Sequence, residues 1–234
     1  MKRTIYYIII VSLLAITTSA QYNGKPFGVS ATYSYTSTAQ VFLNPNSASE
    51  VTRNISNEIE DIKSYGAEIR YRVSDPLIVG LGFELMEGTF RGVNISAGGL
   101  GIETEDGYKM IPIEATAYYL LPFSTEVFKF YMSGGIGIYF GEYIRNFADV
   151  SVNNVESETA YGLHVGVGLD YMIEDFISLR GEMKFRDPEF DLTSSYDKTQ
   201  FQIDGRTITI ANPTFDTKVN VDGVTFTAGL VFHF

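Results

Sequence analysis

The chain of 234 residues has no cysteine and no tryptophan, two histidines, and fewer basic than acidic side chains, 17 Lys and Arg against 28 Asp and Glu. Without cysteine there is no lipid-attachment thiol, no disulfide framework and no thiolate metal site. The formal charge of −11 argues against nucleic acid as a partner. Long apolar runs are missing as well. The longest, Ile5 to Ile16, offers about 12 positions where a spanning helix needs roughly 20.

That run follows Lys2 and Arg3 and leads to Thr18-Ser19-Ala20, small residues suited to a cleavage site. A charged start, a short apolar core and a small-residue exit predict a secretory signal peptide over residues 1–20, cut between Ala20 and Gln21. Residues 21–234 then form one domain by length, and loss of Lys2 and Arg3 takes the charge from −11 to −13. If such a chain enters a membrane it must do so as a closed barrel, because hydrocarbon leaves no other way to satisfy the backbone.

What is present is alternation. Eight segments, 27–35, 65–73, 77–86, 111–121, 128–140, 161–171, 177–186 and 224–234, place apolar side chains on one face and small, polar or charged ones on the other. In the seventh, Ile177, Leu179, Gly181, Met183 and Phe185 interleave with Ser178, Arg180, Glu182, Lys184 and Arg186. Helical periodicity would put these charges on the apolar face. A tilted strand crosses a bilayer in roughly 9–11 residues, which these segments supply.

The connections alternate too. Ser74-Asp75-Pro76, Pro122 to Glu126 and Glu174-Asp175 are tight turns, whereas 37–63, 88–108, 141–158 and 187–222 are long. A soluble β-sandwich, the competing architecture, has no reason to alternate loop lengths in this way. The expected fold class is therefore all-β: an eight-stranded antiparallel up-and-down transmembrane β-barrel with short periplasmic turns, long extracellular loops and both termini periplasmic. Tyr33, Tyr35, Tyr71, Tyr119 and Tyr171 fall near strand ends, where aromatic girdles belong.

A cleavable signal, eight alternating strands, short and long connections in turn, and a final strand from Val224 to Phe234 resemble the small bacterial outer-membrane β-barrel proteins, among them the OmpA transmembrane domain, OmpX and the OmpW-like barrels of the porin-like outer-membrane class. The resemblance covers the whole mature chain and carries no catalytic motif. It implies the outer membrane of a Gram-negative bacterium, contact with outer-membrane lipid and lipopolysaccharide, a monomer, and no cofactor. It also implies that Leu230, Phe232 and Phe234 are read as a C-terminal signal by the barrel-assembly machinery.

The inward positions hold Arg70, Arg72, Lys129, Arg180, Lys184 and Arg186 against Glu68, Glu84, Glu114, Asp170 and Glu182, a nearly neutral lumen in an acidic chain. Such charges must pair or stay wet. They form either a packed ion-pair plug or the lining of a narrow passage or small-ligand cavity. The inward glycines Gly80, Gly82, Gly135, Gly137, Gly166, Gly168 and Gly229 favour the passage unless Tyr118, Tyr131 and Tyr139 fill them. Arg180 and Lys184 are the candidates to reach Glu84 or Glu114 across the lumen.

The acidic runs Glu103 to Asp106 and Asp187 to Asp191 read as a solvated outer rim, without the spacing of a calcium loop. Residues 201–210 alternate around Asp204-Gly205, which predicts a hairpin above the membrane with strand edges open to a partner. Neither His164 nor His233 has a serine nearby in sequence, so a lipid-modifying enzyme is the remote reading and no catalytic or metal residue is assigned. The expected role is structural or surface-interacting, with an extracellular ligand met by the acidic loops; a narrow pore or carrier is the alternative.

Overall fold

Alternation gives each strand two unlike faces, and antiparallel pairing around a ring sorts those faces into an inside and an outside. The computed structural model describes residues 24–97, 100–157, 159–203 and 205–234; the expected signal peptide and its cut between Ala20 and Gln21 lie outside them. The strands are β1 (Phe27–Phe42), β2 (Ser56–Arg72), β3 (Leu77–Ala97), β4 (Leu100–Leu120), β5 (Phe128–Phe147), β6 (Val150–Ser157), β7 (Thr159–Glu174), β8 (Ile177–Arg186), β9 (Glu189–Tyr196), β10 (Gln200–Ile203), β11 (Arg206–Thr209), β12 (Thr214–Asn220) and β13 (Val224–His233).

One end of the wall is the ring β1–β2–β3–β4–β5–β7–β8–β13, eight antiparallel strands closed where β13 pairs with β1. The register there runs from Gly28↔His233 to Thr36↔Thr225. Phe27 and Phe234 exchange backbone hydrogen bonds of 3.0 and 2.9 Å across the seam, and their rings stack at 6.1 Å. The short turns close this ring, for example through Val73 N–H donating to Leu77 O at 2.9 Å. Its outer face is apolar, with Leu81, Phe83, Ile113, Val165 and Leu230 exposed, and Tyr33, Tyr65, Tyr71, Tyr119 and Tyr171 toward its margins. Among the described residues no helix is long and apolar enough to cross a membrane.

The segments expected to be long loops are largely strand, and this corrects the sequence reading. β1 runs on to Phe42, β2 begins at Ser56, β3 and β4 rise to Ala97 and Leu100, and only 43–55, with a helical turn at Glu50–Arg53, is irregular between β1 and β2. Beyond the first ring the wall continues as β5–β6–β9–β12–β1, so β6, β9 and β12 stand above β7, β8 and β13. The faces of these strands are inverted relative to those of the first ring. In the first ring apolar side chains point out and polar ones in; in the second, Val41, Ile59, Ile62, Phe190, Leu192, Val219 and Val221 point in and are buried.

On β3, β4 and β5 the inward face keeps its phase and only its residues change from polar to apolar, whereas β1 and β2 change phase. The change occurs at Ser37–Thr38 on β1 and at Glu60–Asp61 on β2, where Asp61 adopts a φ of 58° and its carboxylate accepts from Tyr35 Oη at 2.8 Å. Gly223 faces the first of these irregularities, and a Cβ there would run into the Thr38 backbone.

Candidate functional site: the lumen and its cap

Eight strands enclose a bore that side chains can fill, and here they fill it in layers. Near the turn end lie Ile78, Tyr118, Leu120 and Tyr131, with the buried Arg72, Lys129 and His233. Next comes a charged layer. Asp170 accepts from Arg180 Nε at 2.8 Å and from Arg70 Nη1 at 3.3 Å; Asp170 and Arg180 are register partners on β7 and β8. Glu68 pairs with Arg70 Nε at 2.8 Å and Arg180 Nη1 at 3.4 Å, and accepts from Tyr118 Oη at 2.5 Å. The Arg180 guanidinium lies 4.9 Å from the ring centres of both Tyr118 and Tyr131.

Glu182 connects this layer to the next, accepting from Ser133 Oγ at 2.9 Å and Tyr131 Oη at 3.2 Å with Arg180 at 3.9 Å. Above it Glu114 accepts from Lys184 Nζ at 2.7 Å, Tyr139 Oη at 3.1 Å and Arg186 Nη1 at 3.2 Å. Arg186 also reaches Glu84 at 2.7 Å, and Ser64 Oγ donates to the same Glu84 carboxylate. Lys184 therefore meets Glu114, while Arg180 turns to Asp170 and Glu68 and leaves Glu84 to Arg186. His164 shares a hydrogen bond of 3.0 Å with Thr116 and stands 4.0 Å from Glu114.

The inward glycines are where these side chains lie. A Cβ at Gly137 would meet Tyr139, one at Gly168 Tyr131, one at Gly135 His164, and one at Gly80 Glu68 and Tyr118. The space left between Glu68, Glu84, Glu114, Glu182, Arg180 and Lys184 is about 50 Å³, enough for a few water molecules.

The ring gives His233 a serine partner that its sequence neighbourhood lacks. Ser178 Oγ stands 2.9 Å from His233 Nε2, a contact that sequence separation hides because β8 and β13 are neighbours in the ring. Ser178 is fully buried and away from the small wet space in the lumen, so no substrate reaches its hydroxyl from solvent. Among the described residues no group of histidines and carboxylates converges as a metal site.

Above the charged layers sits an apolar one built from Val41, Ile59, Ile62, Tyr108, Met110 and Phe190 with their neighbours. It is followed by a polar knot that the sequence reading placed on the outer rim. Asp106 is buried and accepts from Arg145 Nε at 2.5 Å, Tyr143 Oη at 2.8 Å and Thr104 Oγ1 at 3.0 Å. Counting back in twos from Glu114 through Pro112, Met110 and Tyr108 assigns Asp106 and Thr104 to the inward face, the signal that could have found them. Phe190, inside the other acidic run, is likewise buried.

The hairpin of β10 and β11 is present, with Gly205 at a φ of 74° in its turn. Rather than rising free, it lays Phe201 against Phe147 at 5.2 Å, joining Ile102 and Val150 in a small core that closes the far end. An exposed ion pair tethers it: Lys198 Nζ donates to Asp149 Oδ2 at 2.7 Å, which lowers the Asp149 pKa below its usual value and raises that of Lys198.

A closed ring of eight strands, apolar outside and charged inside, is the architecture of one class of protein. The model for the outer membrane protein beta-barrel domain matches residues 8–234. The chain belongs to that family. Among solved structures this barrel is similar to the outer membrane protein OprG from Pseudomonas aeruginosa, at 14% identity over 90% of this chain and 96% of that one, with a TM-score of 0.57. It also matches Neisserial surface protein A (TM-score 0.47, 15% identity, 89% and 97% covered) and Ail of Yersinia pestis (TM-score 0.47, 13% identity, 90% and 99% covered). These likenesses concern the fold alone. No match was found among curated proteins. The family places the barrel in the outer membrane, with its apolar girdle against lipid.

Proposed function

We propose that this outer-membrane barrel is a non-enzymatic scaffold that holds a rigid, acidic platform outside the cell for surface interaction. In this reading the turn end and both termini face the periplasm and the extended end faces outward. The observation that carries it is the second ring, whose apolar interior and capped mouth make it a small water-soluble barrel continuous with the membrane one. The ladders β5–β6–β9–β12–β1 leave little freedom in those strands, so the outward side chains form a defined surface. Glu58, Glu60, Asp191 and Asp222 are exposed on it, with Lys218 held by Glu189 at 2.8 Å.

A narrow pore or carrier is the competing role, and the layered lumen argues against it: an ion would have to break paired charges and then cross an apolar layer. The hairpin offers the cleanest separation. Replacing residues 200–209 by Asn-Gly joins Thr199 and Ile210, which are already hydrogen-bonded at 2.8 Å, and spares β9 and β12. The expected result is loss of whole-cell binding to host-surface or envelope ligands, with no single-channel conductance from either protein in planar bilayers. Steady conductance of the intact barrel, lost when Gly135 or Gly166 is made bulky, would overturn the proposal.

A further inference from the structure

Above the membrane ring β2 and β3 stop pairing with each other. Their ladder ends at Lys63↔Glu87, although β2 reaches up to Ser56 and β3 to Ala97. The cause is the change of phase at Asp61. β1 shifts together with β2, so their ladder keeps its register and reaches Phe42↔Ser56. β3 does not shift, and Gly88, Phe90 and Gly92 stay on its inward face. Continuing the β2–β3 register would set the inward Ile59 opposite the outward Arg91, and strands whose faces disagree cannot share a ladder. Above Glu87, β3 therefore pairs with β4 alone and β2 with β1 alone.

Each of the two strands thus presents an unpaired backbone edge to the notch between them, and the β3 edge is the unguarded one. Sheet edges are commonly protected by lysine, proline or an inward charge. Thr89–Val93 has no lysine or proline, and the charge of Arg91 is taken up by Glu105 at 3.2 Å. A bulge between Val93 and Ile95 ends this flat stretch. Across the notch Glu58, Glu60 and Asp61 are exposed on the outer side of β2. On the inner side Asn57 Nδ2 is buried without a hydrogen-bond partner among the described residues, and Phe90 packs against the apolar layer.

We propose that the β3 edge receives an extended polypeptide segment of a surface partner, added as one more strand. Only a strand supplies N–H and C=O groups at the spacing of such an edge. The two faces then set its sequence: apolar side chains toward Phe90 and Ile59, basic ones outward beside Glu58 and Glu60. The site deepens the platform reading given under Proposed function and rests on its outward orientation. The hairpin of β10 and β11 braces it, because Phe201 packs with Ile102, whose register partner on β3 is Ile95.

The test uses the full chain in detergent micelles and a peptide of Lys-Val repeated four times. One control is the same peptide with every backbone N–H methylated, which keeps its side chains but cannot pair with an edge; the other is Glu-Val repeated four times. Hydrogen exchange read by mass spectrometry locates the peptide, and fluorescence anisotropy measures its affinity. The lysine peptide should slow exchange in residues 88–97 and leave 200–209 unchanged. N-methylation should abolish that protection, and the glutamate peptide should bind about tenfold more weakly. The double variant Glu58→Gln/Glu60→Gln should weaken the lysine peptide roughly tenfold, as two exposed charge pairs at the upper end of their usual range would. The heat-modifiable gel shift reports that the variant is folded. Equal binding of the methylated peptide, protection confined to the hairpin, or a β3 edge that in the free protein already exchanges as slowly as β3 below Glu87 overturns the site. Orientation is read separately with the labelled lysine peptide on intact cells. If residues 88–97 are protected in micelles while cells bind none, the platform reading fails and the surface partner with it, but the strand-accepting edge stands.

Discussion

Removing the charge of Glu114 is the most direct probe of what holds the lumen together. Glu114→Gln keeps the shape but leaves Lys184 without a salt bridge among the described residues, since Arg186 retains Glu84 at 2.7 Å and Lys184 pairs there with Glu114 alone, also at 2.7 Å. At an effective dielectric near 20 the Coulomb attraction at that distance is about 6 kcal/mol. The desolvation cost of bringing both ions into the wall cancels much of it, and breaking buried pairs typically costs about 3–5 kcal/mol. Lys184 lines the small wet space, where water can solvate it in part, which moves the expectation to the low end, about 3 kcal/mol. Adding Lys184→Met removes the stranded ammonium and should restore roughly 2 kcal/mol. Urea unfolding of barrels refolded into lipid vesicles, followed by circular dichroism, measures both. The reasoning is refuted if the single variant costs less than about 0.5 kcal/mol, as an exposed pair would, or if the double variant is no more stable than the single.

Gly141→Ala should destabilise by roughly 1–3 kcal/mol in the same assay, because the new methyl would occupy the place of the Phe190 ring; an unchanged midpoint would mean that the ring moves freely. The Lys198–Asp149 tether has a defined pH window. Asp149 is depressed below its ordinary value of 3.8, so its contribution is present above that pH and is lost as pH falls through the lower folded value; Lys198 is raised above 10.5, so its contribution is lost only as pH rises past that. Pepsin should therefore cut the hairpin faster near pH 2 than near pH 5 relative to an unstructured peptide of the same sequence, and Asp149→Asn should flatten the ratio. Deleting Phe234 removes the backbone pair and ring contact with Phe27. Folding into vesicles without assembly proteins should then be only modestly slowed while insertion in cells drops sharply; equal losses in both would assign the terminal residues to wall closure alone.

The sequence by itself determined the membrane barrel. Strict two-residue alternation from Phe27 to Tyr35 and from Val224 to Phe234 leaves one orientation for each strand, and three tight turns leave antiparallel neighbours; these local constraints add up to a ring. The inward identity of Glu68, Arg70, Glu114, Asp170 and Arg180 followed from the same counting. What the alternation could not carry was anything that depends on which strands meet. The pairing of Asp170 with Arg70 and of Arg186 with Glu84 across the bore is fixed by ring closure, and that of Ser178 with His233 by the ladder between β8 and β13, all between residues far apart in sequence or across a long connection. The second ring was hidden for a different reason. Outside the bilayer the solvent changes sides, so the same period is written with its apolar face inward, and bulges at Ser37–Thr38 and Glu60–Asp61 shift the phase just where the rule changes. Only the tertiary structure, by placing Val41, Ile59, Phe190 and Val219 around one axis, turns four apparent loops into a wall.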